Sequence, residues 1–196
     1  MKVSRVFLAV VCLAAVTRAG IVDNMIAGLK KYDPKLAADQ ESNARSLITA
    51  CAELTTNVNQ LAYVLSTAIG ESSLRPIKEI RARAGTSLYT TQNKYWNSGY
   101  YGRGYVQITW DYNYKKFGKL LGVDLLGSPE LALRSDIAGK IACIGMKKGL
   151  FTGVGLDKYF TAASNDWTNA RKIINGLDKA EAFGQRGKTI ASLVAH

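Results

Sequence analysis

The chain has 196 residues, 47% hydrophobic and 21% charged, with only 3 prolines. That is enough for one globular domain with a sizeable core, and it argues against a disordered or collagen-like polymer. A formal charge of +11 favours an anionic partner, yet no run of five or six basic residues marks a nucleic-acid motif.

From the N-terminus, Lys2 and Arg5, an apolar run from Val6 to Val16 and then Thr17-Arg18-Ala19 read as a secretory leader, cleaved after Ala19. The run is shorter than the ~20 residues needed to span a bilayer. Cleavage leaves residues 20–196 as a single secreted domain with no stable membrane insertion. It removes Lys2, Arg5 and Arg18, lowering the charge from +11 to +8. Cys12 leaves with the leader, so Cys51 and Cys143 remain in an oxidising compartment, either as one disulfide or as two buried thiols.

Apolar residues recur at helical spacing over 43–54 and 57–69, where Leu61, Val64, Leu65 and Ala68 mark one face and Gly70 is expected to stop the helix. Further helices are expected over 136–150, 166–174 and 180–194. Between Gly85 and Gly104 the pattern dissolves into Gly, Thr, Asn, Ser and Tyr, as in a long irregular or lightly β-structured loop. From Tyr89 to Tyr114 lie nine of the 18 aromatic residues. Each offers a flat apolar face, and Tyr and Trp add a polar tip, which suits stacking on sugar rings; individually, several could equally be core.

The reactive inventory is narrow. His196 is the only histidine, which argues against serine–histidine and cysteine–histidine catalysis and against histidine metal centres. Three scattered cysteines do not make a zinc cluster, and neither GxxxxGK[ST] nor GxGxxG occurs. Carboxylates are left to carry any chemistry. Glu71 ends an apolar helix, where the helix dipole and an apolar surround oppose ionisation, while Glu79 lies among Lys78, Arg81 and Arg83, which favour a carboxylate. In one continuous helix the two would stand ~12 Å apart along the axis, and a turn at Arg75-Pro76 can bring them closer. Facing carboxyls at roughly 6.5–9.5 Å suit inverting glycoside hydrolysis. Two surface glutamates near a bend are the plain alternative.

Three stretches, LAYVLSTAIGESSLRPIKE (61–79), YGRGYVQITWDYNY (101–114) and DWTNARKIINGLD (166–178), together resemble the family-19 glycoside hydrolases, above all the compact chitinase-like and phage endolysin-like members. The resemblance covers about residues 43–186. It implies a mainly α, lysozyme-like fold with a small β-region and a substrate cleft. It implies Glu71 as general acid, Glu79 as the base that activates water, and Thr109 as the residue that helps hold that water. Gln107 and Asn175 become substrate contacts, with Tyr101, Tyr105 and Trp110 from the aromatic cluster beside them. Asp178 and Arg186 become a charge pair supporting the acid, and Gly102 and Gly104 let the backbone turn beside the substrate. Where many relatives have histidine before the acid, this chain has Gly70. The implied activity is hydrolysis of β-1,4 links in N-acetylglucosamine polymers by a secreted monomer needing no metal or cofactor and binding no nucleic acid. Peptidoglycan cleavage of the muramidase or endolysin type is the alternative, and a chitin-binding protein without turnover is the third reading.

Overall fold

A computed structural model describes residues 3–194, with side chains from residue 18 onward. His196 and the side chains of Cys12 and of the rest of the expected leader up to residue 17 therefore lie outside the described residues. The fold is mainly helical. Helix α1 (Val3–Tyr32) buries Val22, Met25, Ile26 and Leu29, a stripe at i, i+3, i+4 and i+7. Helix α2 (Ala38–Ala52) begins five residues before the expected start. Its first turn holds Asp39 and Glu41, which suit the positive end of a helix dipole.

Helix α3 (Val58–Ser72) is the central strut. Asn57 caps it, its side chain accepting from the Asn59 and Gln60 backbone N–H groups. Every residue from Gln60 to Ala68 is buried, as in a helix enclosed on all sides. The helix runs through Gly70 instead of stopping there, and ends at the left-handed Ser73, whose N–H donates to the Ile69 carbonyl at 3.0 Å. A Cβ at position 70 would stand 2.3 Å from the Phe183 ring. Glu71 thus lies in the last turn of α3, not beyond it.

Two consecutive left-handed residues, Ser73 (φ 51°) and Leu74 (φ 58°), then reverse the chain. Such a conformation costs a bulky residue of order 1–3 kcal/mol; Leu74 is only 1% exposed, and burying its side chain offsets that cost. The turn delivers the chain to β1 (Ile77–Lys78), which pairs antiparallel with β2 (Arg103–Gly104), Ile77 opposite Gly104. Between the strands, the expected loop contains a short helix α4 (Ser87–Gln92) and a 3-10 turn (Trp96–Ser98).

Helix α5 (Asp111–Leu121), not anticipated, buries Tyr114, Phe117 and Gly118 in a second small core with Ile108, Leu125 and Ile141. Helix α6 (Ser135–Lys148) matches expectation and ends at Gly149 in the left-handed region. Cys51 in α2 and Cys143 in α6 are joined by a disulfide, which resolves the two sequence alternatives. A single turn α7 (Leu156–Tyr159) follows. The helix expected over 166–174 is instead a 3-10 turn (Asn169–Ile173). Helix α8 (Ala180–Leu193) packs against α3. Ser66 Oγ donates to the Phe183 carbonyl at 2.6 Å and Arg186 donates to the Ser66 carbonyl at 3.1 Å, pinning the two helices together at the end that carries Glu71.

Candidate active site

Glu79 follows β1 directly, and its backbone is fixed by the partner strand's approach. Its N–H donates to the Gly102 carbonyl at 2.8 Å, and the Gly102 N–H donates back to Glu79 Oε2 at 3.0 Å. Glu79 Oε1 accepts from Gln92 Nε2 at 2.9 Å and from the Tyr95 hydroxyl at 2.8 Å. Three donors therefore converge on one half-buried carboxylate. Burial first, and then the bond to Glu79, pushes the Tyr95 phenol up to about 12, so it stays protonated and donating across the neutral range. Neither Gln92 nor Tyr95 was singled out from the sequence. Tyr95 belonged to the aromatic cluster, but nothing in the spacing ties residues 92 and 95 to residue 79.

Gly102 has no room for a side chain. A Cβ there would stand 2.8 Å from Gln107 Oε1 and 3.3 Å from the Glu79 Cβ, so the glycine lets the Glu79 carboxylate and the Gln107 amide approach each other. Gln107 sits at φ 53° and donates to the Ile77 and Gly104 carbonyls, both at 2.8 Å. Thr109 Oγ1 donates to the Gln107 carbonyl at 3.1 Å, leaving its lone pairs to accept. Trp110 lies at φ 73°, ψ 141°, a region that costs a non-glycine residue of order 1–3 kcal/mol and that recurs at functional sites. Gln107, Thr109 and Trp110 line one recess together with Asn113, Phe151 and Ile174. The Trp110 ring also meets the edge of Tyr95 at 5.3 Å. The structure thus brings Glu79, Gln107, Thr109 and Trp110 together.

Glu71 stands on the other side of the turn. Its surround is not the apolar one expected: Arg171 Nη1, from the 3-10 turn, lies 2.6 Å from Glu71 Oε1, and the arginine side chain is 3% exposed. Arg171 also donates through Nε to the Asp178 carbonyl at 2.9 Å and lies over the Phe183 ring at 4.1 Å. The expected charge pair of Asp178 and Arg186 is not formed. Asp178 contributes its backbone oxygen to Arg171, and Arg186 is turned to the Ser66 carbonyl and to Phe183. Arg171, not Arg186, is the ionic partner of Glu71. Both Arg171 and Arg186 lie in or beside the third motif, so the residue type was legible there and the partner was not.

Two of the expected sugar contacts belong to the scaffold. Tyr105 is fully buried and donates to the Asn43 carbonyl at 3.2 Å. Tyr101 stacks on Trp96 at 4.4 Å, and the Arg103 guanidinium lies over its ring at 4.0 Å. Buried Arg103 in turn pairs with Glu130 at 2.7 Å, so these rings fix the loop between the strands. Asn175 is exposed, next to recess-lining Ile174, and is anchored by its backbone N–H to the Arg171 carbonyl at 3.0 Å. Among the described residues no group of three or more His, Cys, Asp or Glu is gathered that could hold a metal ion. Nor is any described helix long and apolar enough to cross a membrane.

The architecture is that of the family-19 chitinases. A bacterial family-19 chitinase superposes with a TM-score of 0.63 at 20% identity, over 86% of this chain and 93% of that one. Chitinase C from Streptomyces griseus superposes with a TM-score of 0.53 at 20% identity, over 86% and 90%. The family-19 glycoside hydrolase resemblance holds in sequence as well: residues 77–146 match the model of that family described as chitinase class I. The matched segment contains Glu79, Gly102, Gln107, Thr109 and Trp110, while Glu71 and Arg171 fall outside it. Endochitinase A2 of Pisum sativum is 59% identical over 38 residues, which is 19% of this chain and 12% of that protein. Inactive chitinase-like protein 1 of Hevea brasiliensis is 56% identical over 45 residues, 23% and 14% respectively. The chain covers about an eighth of the length of these curated relatives.

Proposed function

We propose that the protein is a secreted glycoside hydrolase that cleaves β-1,4 bonds between N-acetylglucosamine units with inversion. Glu71 is the general acid and protonates the leaving oxygen. Glu79 is the general base and takes a proton from a water that attacks the anomeric carbon from the opposite face. Thr109 accepts a hydrogen bond from that water, while Gln107, Trp110 and Asn175 contact the sugar. The observation that carries this reading is the grouping of Glu79, held by Gln92, Tyr95 and the Gly102 N–H, with the recess lined by Gln107, Thr109 and Trp110. Glu71 stands across the Ser73–Leu74 turn, ion-paired with Arg171; its role as acid is carried by the family resemblance of residues 61–79. The disulfide between Cys51 and Cys143 supports an oxidising destination.

Chitin is the first substrate, in keeping with the endochitinase names among the relatives. Peptidoglycan is the second, favoured by the charge of +8 that leader cleavage leaves from +11. A monomer that binds chitin without turning it over is the third reading; the Hevea relative is named as inactive. The test is product analysis by mass spectrometry after incubating the protein, and its Glu71→Gln variant, with chitin oligomers and with purified peptidoglycan. Shorter N-acetylglucosamine oligomers from the unmutated protein alone are expected. Muropeptides instead would move the assignment to peptidoglycan. Retention on the polymers without any product would leave a binding protein.

A further inference from the structure

The hydrogen bonds around Glu79 are unequal between its two oxygens, and the inequality carries chemical information. An ionised carboxylate has about four lone-pair sites, two per oxygen. Oε1 has both of its sites taken, by Gln92 Nε2 at 2.9 Å and Tyr95 Oη at 2.8 Å. Oε2 accepts only from the Gly102 N–H at 3.0 Å among the described residues, which leaves one site open.

The arrangement is held from several directions. Gln92 is fully buried. Its Oε1 accepts from the Ala82 N–H at 2.7 Å, and its Nε2 donates to the Ile80 carbonyl at 2.9 Å as well as to Glu79. A reversed amide would set an oxygen against a carboxylate and a carbonyl, and an NH2 against an N–H, so its neighbours allow one orientation only. The segment carrying Gln92 and Tyr95 is braced by a ladder of cations and rings. Arg81 lies over Tyr89 at 4.3 Å and over Trp96 at 4.8 Å, Trp96 stacks on Tyr101 at 4.4 Å, and Arg103 lies over Tyr101 at 4.0 Å. Asn93 accepts from Arg81 as well. The Tyr95 ring is fixed separately, by its edge contact with Trp110.

We propose that Oε2 of Glu79 is the oxygen that takes the proton from the attacking water, and that Gln92 and Tyr95 are positioning residues that hold Oε1 out of the reaction and so aim Oε2. This rests on the hydrolase reading above. In the step, water forms a bond to the anomeric carbon and passes one proton to Glu79 Oε2. The glycosidic oxygen departs with the electron pair of its broken bond and with the proton of Glu71. Atoms and charge balance without a further reactant. Losing a donor lets the carboxylate rotate and share water between its two oxygens, which lowers the rate of the chemical step and leaves sugar binding unaffected.

The test pairs kinetics with a structure. Tyr95→Phe removes one hydroxyl and keeps the ring against Trp110; Gln92→Met removes the amide at similar volume. With chitin oligomers, Tyr95→Phe is expected to lower kcat roughly tenfold, the loss of one hydrogen bond to a charged group, with KM changed less than twofold and thermal unfolding little altered. A crystal structure of Glu71→Gln with a bound oligomer is expected to place a water on Oε2. An unchanged kcat in Tyr95→Phe, a loss appearing in KM alone, or a water on Oε1 in place of Tyr95 overturns the proposal and leaves the hydrolase reading intact. Absence of turnover by the unmutated protein on chitin oligomers and peptidoglycan overturns both. Should Gln92→Met fail to fold, Tyr95→Phe decides the matter alone.

Discussion

Replacing Gly70 with alanine tests how the end of α3 is built. In an open helix this change is stabilising by about 1 kcal/mol, because glycine is the poorer helix former. Here the new methyl would stand 2.3 and 2.4 Å from two carbons of the Phe183 ring and 3.0 Å from Arg186 Nη1. Carbon atoms in contact sit at ~3.5–4.0 Å, so the overlap exceeds 1 Å and the ring has to move. It has little freedom: the Phe183 carbonyl is bonded to Ser66 Oγ at 2.6 Å, and Arg171 and Arg186 lie over the ring at 4.1 and 5.4 Å. Overpacking of a fixed core costs ~1–3 kcal/mol, which outweighs the gain in helix propensity. The expected net effect is a loss of roughly 1–2 kcal/mol, or a Tm lower by about 2–8 °C for a chain of this size. Because the displaced ring supports Arg171, turnover falls as well. A double-mutant cycle with Phe183→Ala isolates the cause. Phe183→Ala alone costs ~3–5 kcal/mol, and with the ring gone Gly70→Ala becomes neutral or stabilising, a coupling of at least ~1 kcal/mol. A Tm that rises in the single Gly70→Ala variant, or effects that simply add in the double variant, would refute the reasoning.

Other expectations follow from single contacts. Arg171→Lys keeps the charge but loses the Nε bond to Asp178 and the planar stacking on Phe183; kcat is expected to fall at least tenfold and stability by about 2 kcal/mol, read by steady-state kinetics and urea unfolding. Opening the Cys51–Cys143 disulfide, which spans 92 residues, as the double serine variant should lower stability by ~2–4 kcal/mol, and equal urea midpoints for the two proteins would count against it. Lys147 beside Asp157, and Arg75 beside Asp39, hold those carboxyls below the usual value of 3.8. Their folded-state affinity for protons is lower than in the unfolded chain, so their contribution is present above that value and lost as pH falls through the depressed one. Tm should therefore drop on acidification below about pH 4, less steeply in Asp157→Asn, and a parallel drop in both proteins would remove Asp157 from the account.

The parts of this fold legible in the sequence are those set by contacts along one helix. Leu61, Val64, Leu65 and Ala68 announce α3 because a helix repeats every 3.6 residues, and the same periodicity announces α6 and α8. Glu71, Glu79, Gln107 and Thr109 stand out because the motifs around them are specific. Helix α5 escaped because Tyr114, Phe117 and Gly118 sit among polar residues, and its apolar stripe needs the second core to give it meaning. The turn at 169–173 carries helical spacing, yet it closes tightly to present Arg171.

The sequence by itself determined a basic, mostly helical domain with two candidate carboxylates and, after them, an aromatic, glycine-rich segment. The tertiary structure decided which groups surround each carboxylate. It put a phenylalanine ring over Gly70, where no side chain fits, and carried α3 on to Glu71. It gave Glu71 to Arg171 and turned Asp178 and Arg186 to backbone contacts. It buried Tyr105 and committed Tyr101 to Arg103 and Trp96, leaving Tyr95 and Gln92 to hold Glu79. Most of these outcomes join residues from different segments of the chain, and such pairings depend on how the helices close on one another, a distance that no local period or spacing encodes.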